Sequence, residues 1–124
     1  MQGTNMSGNP HGPLVIRRTG DVCVVDFLDT SIIDSLKIER IKTDLDALTE
    51  RMGHPKIVIS FDGVTHLASA MLGVLMSINK KAVAQKGQLR LTHLSPMIME
   101  VVRITKLDKV LKIFDTTDKA LEKF

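Results

Sequence analysis

Between positions 38 and 52 the apolar residues Ile38, Ile41, Leu45, Leu48 and Met52 recur at alternating spacings of three and four, and charged residues fill most of the gaps. That period lays a single apolar stripe along a helix of about four turns. Thr30 or Ser31 is placed to cap its start, and Gly53 with Pro55 to end it. On both sides of this segment the period shortens. Upstream, LVIRR and VCVVDFL are short β-branched runs separated by Thr19-Gly20-Asp21, which predicts a hairpin. Downstream, KIVISF is a nearly continuous apolar run and reads as a buried strand. Strand, helix and strand make a βαβ crossover, so VCVVDFL and KIVISF are expected to run parallel around the helix that holds Ile41 and Leu45.

The alternation then repeats. Leu72, Leu75, Met76, Ala82 and Val83 mark a second helix that begins near Ser69 and stops at Gly87. QLRLTHL alternates like a strand. Ser95-Pro96 pairs a capping residue with a proline at the first helical position, opening a helix through Ile98, Val101 and Val102. VLKIF supplies a last strand and TTDKALEKF a short last helix. The order ββαβαβαβα predicts an α/β fold, a mixed sheet with helices packed against it.

Composition narrows the picture. A chain of 124 residues fits one domain, and 44% apolar residues are enough for a core without disulfides or metal. Residues 1–13 are rich in Gly, Pro and Asn and lack an apolar period, so a disordered tail is expected there and a domain over 14–124. With no Trp or Tyr and four Phe, the core must be built from Ile, Leu, Val and Met, and the composition argues against base-stacking platforms. The net charge of +3 is spread among acidic neighbours, which argues against direct nucleic-acid binding. Cys23 sits alone in VCVV and reads as a small buried hydrophobe, in keeping with a reducing, cytoplasmic setting. No apolar run reaches the ~18 residues of a membrane span, and a monomer or weak dimer is expected.

Chemistry is expected where parallel strands end. Asp29 follows VCVVDFL, Asp62 follows KIVISF, and the turn VTHLAS leads to Ser69 at a helix start, so the three are expected on one rim of the sheet. A serine there caps the helix, a contribution of about 1 kcal/mol. The same place also suits phosphorylation, because first-turn N–H groups and the helix dipole favour an anion. Nucleophilic catalysis has little support: the elbow G-x-S-x-G is replaced by Leu67-Ala68-Ser69-Ala70-Met71, although His66 and His93 are conceivable bases. The four histidines lack metal-ligand spacing, and no phosphate-binding glycine motif occurs, so no metal, cofactor or enzymatic activity is expected.

The stretches IVISFDGVTHLASAMLGVL and GQLRLTHLSPMIMEVVRITKLDKVLKIFDTTDKAL resemble the STAS domain of bacterial anti-sigma factor antagonists. Members of that family show an apolar strand, an Asp, a turn into a serine motif followed by L-G, an LSP-type helix start, an ITKLD-type segment and an IFD-type strand. The resemblance covers residues 14–124. It implies a mixed sheet with helices mainly on one face, and a protein that binds a kinase-type anti-sigma factor, is phosphorylated by that partner and regulates transcription indirectly. The acceptor would be Ser69, with Leu72 and Gly73 as the L-G, and Asp29 matches an acidic position that borders the same surface. The partner surface implied in this way comprises Asp29, Asp62, His66, Ala68, Ser69, Met71 and Leu72. Two positions depart from the pattern: Ala68 replaces an Asp that could orient the hydroxyl or the kinase's metal, and Met71 replaces a Gly, adding apolar bulk. The alternative is an unswitched STAS subunit of a signalling or transporter assembly.

Overall fold

A computed structural model of the protein describes residues 14–122 and 124. The tail expected over 1–13 lies outside the described residues. Strands β1 (Leu14–Thr19) and β2 (Val22–Phe27) form the expected hairpin, antiparallel and closed by a two-residue loop in which Thr19 faces Val22. Helix α1 (Ser35–Arg51) then carries the chain over to β4 (Lys56–Ser60), with the two-residue strand β3 (Ser31–Ile32) on the way. β2 and β4 are parallel, Cys23 facing Ile57 and Val25 facing Ile59, as the crossover pattern requires.

After β4 come β5 (His66–Leu67), α2 (Ser69–Ala84), β6 (Gln88–Thr92), α3 (Pro96–Ile104), a 3-10 turn (Leu107–Lys109), β7 (Lys112–Phe114) and α4 (Thr117–Leu121). The main sheet has the order β1-β2-β4-β6-β7, parallel everywhere except at the hairpin, and β3 pairs with β5 in a separate parallel ribbon.

Each strand alternates, so each turns one row of side chains to either face. Cys23, Val25, Ile57, Ile59, Leu89 and Leu91 point to the face covered by α1, α2 and α3, where Ile41, Leu45, Leu75 and Ile78 complete the core. The opposite face holds Val22, Val24 and Val58, covered by Ala120 of α4 with Phe114, Leu121 and Phe124 around it. Helices therefore lie mainly on one face, with one short helix behind.

Two helix starts differ from the sequence reading. α1 begins after Asp34, whose carboxylate accepts from the Leu36 N–H at 3.0 Å, because Ser31 is drawn into β3. The cap of α2 is Ala68, which has no side-chain acceptor, and Ser69 is already helical. Ser95 does cap α3, its hydroxyl accepting from the Ile98 N–H at 3.3 Å with Pro96 next to it. At the end of α2, Val83 points outward, while Ala82 holds the core side.

Candidate functional site

The site lies beyond the carboxyl ends of β2 and β4, which are neighbours, so Asp29 and Asp62 leave the sheet at the same edge. The chain after β4 turns through Asp62 and Gly63, the glycine in the left-handed region at φ 85° that an L side chain rarely adopts. The Asp62 N–H donates to the Ser60 hydroxyl at 3.3 Å and the Val64 N–H to the Phe61 carbonyl at 2.9 Å, which closes the turn. Val64 is buried and pins it to the core.

From there two backbone segments zip together. Thr65 N–H donates to the Thr30 carbonyl at 2.7 Å, β3 and β5 pair Ser31 with His66 and Ile32 with Leu67, and Ala68 N–H donates to the Ile32 carbonyl at 2.9 Å. This ribbon lashes the loop that carries Asp29 to the turn that presents Ser69. The zipper was not legible in the sequence, since strands of two residues have no period to read.

Ser69 is exposed at the first residue of α2, and among the described residues its hydroxyl makes no hydrogen bond. The capping role expected of it is thus replaced by the backbone bond of Ala68. Asp29 is half-buried and paired with Lys37 of α1 at 2.6 Å, which puts a cation at the rim that sequence proximity to Ser69 did not reveal. Asp62 is exposed and makes no ion pair among the described residues. His66 is exposed, and its Nδ1 lies 2.9 Å from the Thr65 hydroxyl, which itself donates to the Thr30 carbonyl or to that ring nitrogen. Neither His66 nor His93 bonds to Ser69; His93 Nε2 instead accepts from the Thr117 N–H at the start of α4. A Ser–His dyad is therefore not formed. Among the described residues no cluster of His, Cys, Asp or Glu is arranged to hold a metal.

Met71 is a correction. Its side chain is fully buried under the sheet, because the third position of α2 points inward, so it belongs to the core and not to the surface. Leu72, also largely buried, forms the floor of a groove of about 180 Å³ beside the Ser69 turn. Leu67 and Ile33 line one side, Met97, Ile98 and Val101 of α3 the other, and Thr65 and His66 are its polar groups. The sequence reading missed Ile33 and Met97, although a helix whose apolar arc spans 97, 98, 101, 102 and 104 is wider than one core contact needs.

The STAS domain family model matches residues 14–120. A Thermotoga neapolitana protein named as an anti-sigma factor antagonist homologue is 34% identical over 70 residues, 56% of this chain and 62% of that protein. This chain thus matches less than two thirds of the length of that curated relative. The crystal structure of a Thermotoga maritima anti-sigma factor antagonist aligns with a TM-score of 0.76 at 23% identity, covering 89% of this chain and 92% of that one. The Bacillus cell fate determinant SpoIIAA in its phosphorylated form aligns with a TM-score of 0.68 at 17% identity, covering 89% and 97%. At these identities the structures share the fold, and the family match carries the assignment: the chain belongs to the STAS domain family.

Proposed function

We propose that the protein is a non-enzymatic anti-sigma factor antagonist, working in the cytoplasm, whose Ser69 turn docks a kinase-type anti-sigma factor and is switched off by phosphorylation of Ser69. The observation that carries this reading is the Ser69 hydroxyl, exposed, without a hydrogen bond among the described residues, on a turn held by backbone contacts that do not involve it. A phosphate there would meet the open N–H groups of a helix of 16 residues, so the fold tolerates the charge and the effect falls on the partner. Names of relatives support the same direction: curated matches are named anti-sigma factor antagonists, and a structural neighbour is described in a phosphorylated form. In this role it regulates a sigma factor through a protein partner, without direct contact to nucleic acid.

An added phosphate brings about −1.5 to −2 charge to the docking surface. Asp62 adds negative charge on the same rim, and Lys37 is already engaged with Asp29. Leaving a charge unpaired at an interface costs roughly 2–5 kcal/mol, or about 30-fold to several thousand-fold in affinity. Calorimetric titration of wild type, Ser69→Ala and Ser69→Glu with the anti-sigma kinase tests this, with mass spectrometry of wild type after incubation with kinase and ATP. Ser69→Glu is expected to bind markedly more weakly, Ser69→Ala to bind like wild type, and phosphate to appear on Ser69.

Ala68 favours a second reading. Without a carboxylate beside the acceptor, the domain serves as an unswitched STAS subunit of a larger assembly. Equal affinity of all three variants, with no phosphate on wild type, selects that reading.

A further inference from the structure

Resting on the partner reading above, we propose that the groove between β5, α2 and α3 is a second anchor for the same anti-sigma protein, filled by an amphipathic helix with apolar residues on one face and acidic residues at its flank.

Helix α3 has two apolar sides. Ile98 and Val102 are buried against the core, whereas Met97, Val101 and Ile104 are 62%, 42% and 71% exposed. These three lie at i, i+4 and i+7, a straight stripe about 10 Å long. Ile33, 62% exposed, faces Met97 and Val101 across the groove, and Ile104 carries the stripe on into an adjoining hollow that it shares with Pro96 and Glu100. Such a concave apolar track fits the ridge of a second helix better than it fits a flat surface.

Two observations identify the occupant. The first is continuity: Leu67 and Leu72, which bracket Ser69 in the chain, also line the groove, so a protein seated over Ser69 stands at its mouth. The second is charge. Glu100 borders the stripe itself, but past its far end Arg103, Lys106 and Lys109 leave a net positive flank, and among the described residues none of these three meets a carboxylate, whereas Lys37, Lys42 and Lys81 of α1 and α2 all do. Acidic side chains on the partner would complement them. A second copy of this chain would bring the same cations face to face, which disfavours self-association. A two-anchor dock also separates recognition from switching: phosphorylation of Ser69 weakens one anchor while the groove retains the other.

The test uses the full chain and the purified anti-sigma kinase, with Met97→Gln/Val101→Gln, Arg103→Glu/Lys109→Glu and Ser69→Glu titrated beside wild type. The substituted groove positions are exposed, so unchanged melting curves are expected to show that the fold persists. The groove pair is expected to weaken binding at least about tenfold, since two apolar contacts are removed. The charge-reversed pair is expected to weaken it about three- to tenfold at ~50 mM salt and less at high salt. If wild type binds, Ser69→Glu weakens binding and both groove variants bind like wild type, the partner reading stands and the groove anchor falls. If wild type does not bind the kinase, both fall. A concentration-dependent dimer of wild type in sedimentation that the groove variants abolish, or groove-dependent binding to phosphatidylglycerol vesicles, also overturns the proposal by giving the groove a different occupant.

Discussion

The Ala68 N–H donates to the Ile32 carbonyl across 2.9 Å, and through this bond the backbone, not a side chain, fixes the start of α2. Ser69 is thereby freed from any capping duty. Ser69→Ala is accordingly expected to change stability by less than about 0.5 kcal/mol, not by the ~1 kcal/mol of a lost cap. Ser69→Glu is expected to be neutral or slightly stabilising, because an acid in the first turn meets the positive end of the helix dipole. Urea unfolding of the three proteins measures both. A loss of 1 kcal/mol or more in the alanine variant would mean that the hydroxyl holds the turn.

Gly87 is expected to be intolerant of a side chain. It follows Lys86, whose φ of 62° reverses the chain after α2, and its N–H donates to the Ala82 carbonyl at 2.8 Å. A Cβ on it would overlap the Pro55 carbonyl oxygen and lie 2.7 Å from the Pro55 nitrogen. That carbonyl also accepts from the Gln88 N–H, which sets the register of β6 beside β4. Because backbone must move, Gly87→Ala is expected to cost about 3 kcal/mol in urea unfolding. A cost below 1 kcal/mol would show that the two segments separate freely.

Long periodic segments were legible in advance, and short irregular ones were not. The stripe Ile38, Ile41, Leu45 and Leu48 is buried as its spacing requires, and KIVISF and VCVVDFL pair in parallel. The cap of α1 was misplaced because Thr30, Ser31 and Asp34 are all competent acceptors, and only the β3–β5 pairing, a tertiary event, removes Ser31 from contention. Rim membership of Asp29 and Asp62 followed from topology alone. The inward turn of Met71 is readable from the same kind of period, since Met71, Leu75, Ile78 and Ala82 follow at spacings of four, three and four, and its assignment to the docking surface came from its place beside Ser69 in the motif. The Lys37–Asp29 pair joins residues of α1 and the loop after β2, which neither motif nor period connects.

Acid lability is expected to run through Asp46. Burial on its own would raise the pKa of this carboxyl, but hydrogen bonds from Lys42 at 2.9 Å and Lys81 at 3.2 Å outweigh burial and hold it below its ordinary value. A folded-state pKa below the unfolded value means that the pair stabilises the protein fully above about pH 4 and loses that contribution as pH falls through the folded pKa. Asp46→Asn should therefore be less stable than wild type at pH 7, with the gap closing as pH falls through the lowered folded-state value. At the alkaline end Lys81 acts in the opposite sense. Its bond to Glu50 at 2.8 Å raises its pKa, so that stabilisation is complete below the ordinary lysine range and is lost as pH rises through the raised value. Stability curves of both proteins across pH decide the matter, and a gap that does not vary with pH would remove Asp46 from the explanation.

Arg90 is expected to control whether α4 stays on the sheet. Its Nη1 donates to the carbonyls of Ala120 at 2.8 Å and Glu122 at 2.7 Å, and its Nε donates to the Gln88 side chain at 3.0 Å. The guanidinium also lies over the rings of Phe124 at 4.2 Å and Phe114 at 5.0 Å. Burial lowers its pKa, yet a guanidinium starts so high that it remains a cation. A helix of five residues is far too short to persist alone, so α4 depends on these contacts and on Ala120 packing against Val24 and Val58. Arg90→Ala leaves two carbonyls unpaired and is expected to cost about 2–4 kcal/mol. Arg90→Lys keeps the charge but lacks the planar fork that reaches two acceptors while stacking on a ring, so it is expected to recover less than half of the loss. Hydrogen exchange separates this local effect from general unfolding. The amides of Ala120 and Glu122, bonded to the Thr116 and Lys119 carbonyls, should lose protection in Arg90→Ala, while those of β2 and β4 remain slow. Full recovery by lysine would show that charge alone retains the helix, and equal loss of protection in β4 would show that Arg90 supports the whole sheet rather than its cover.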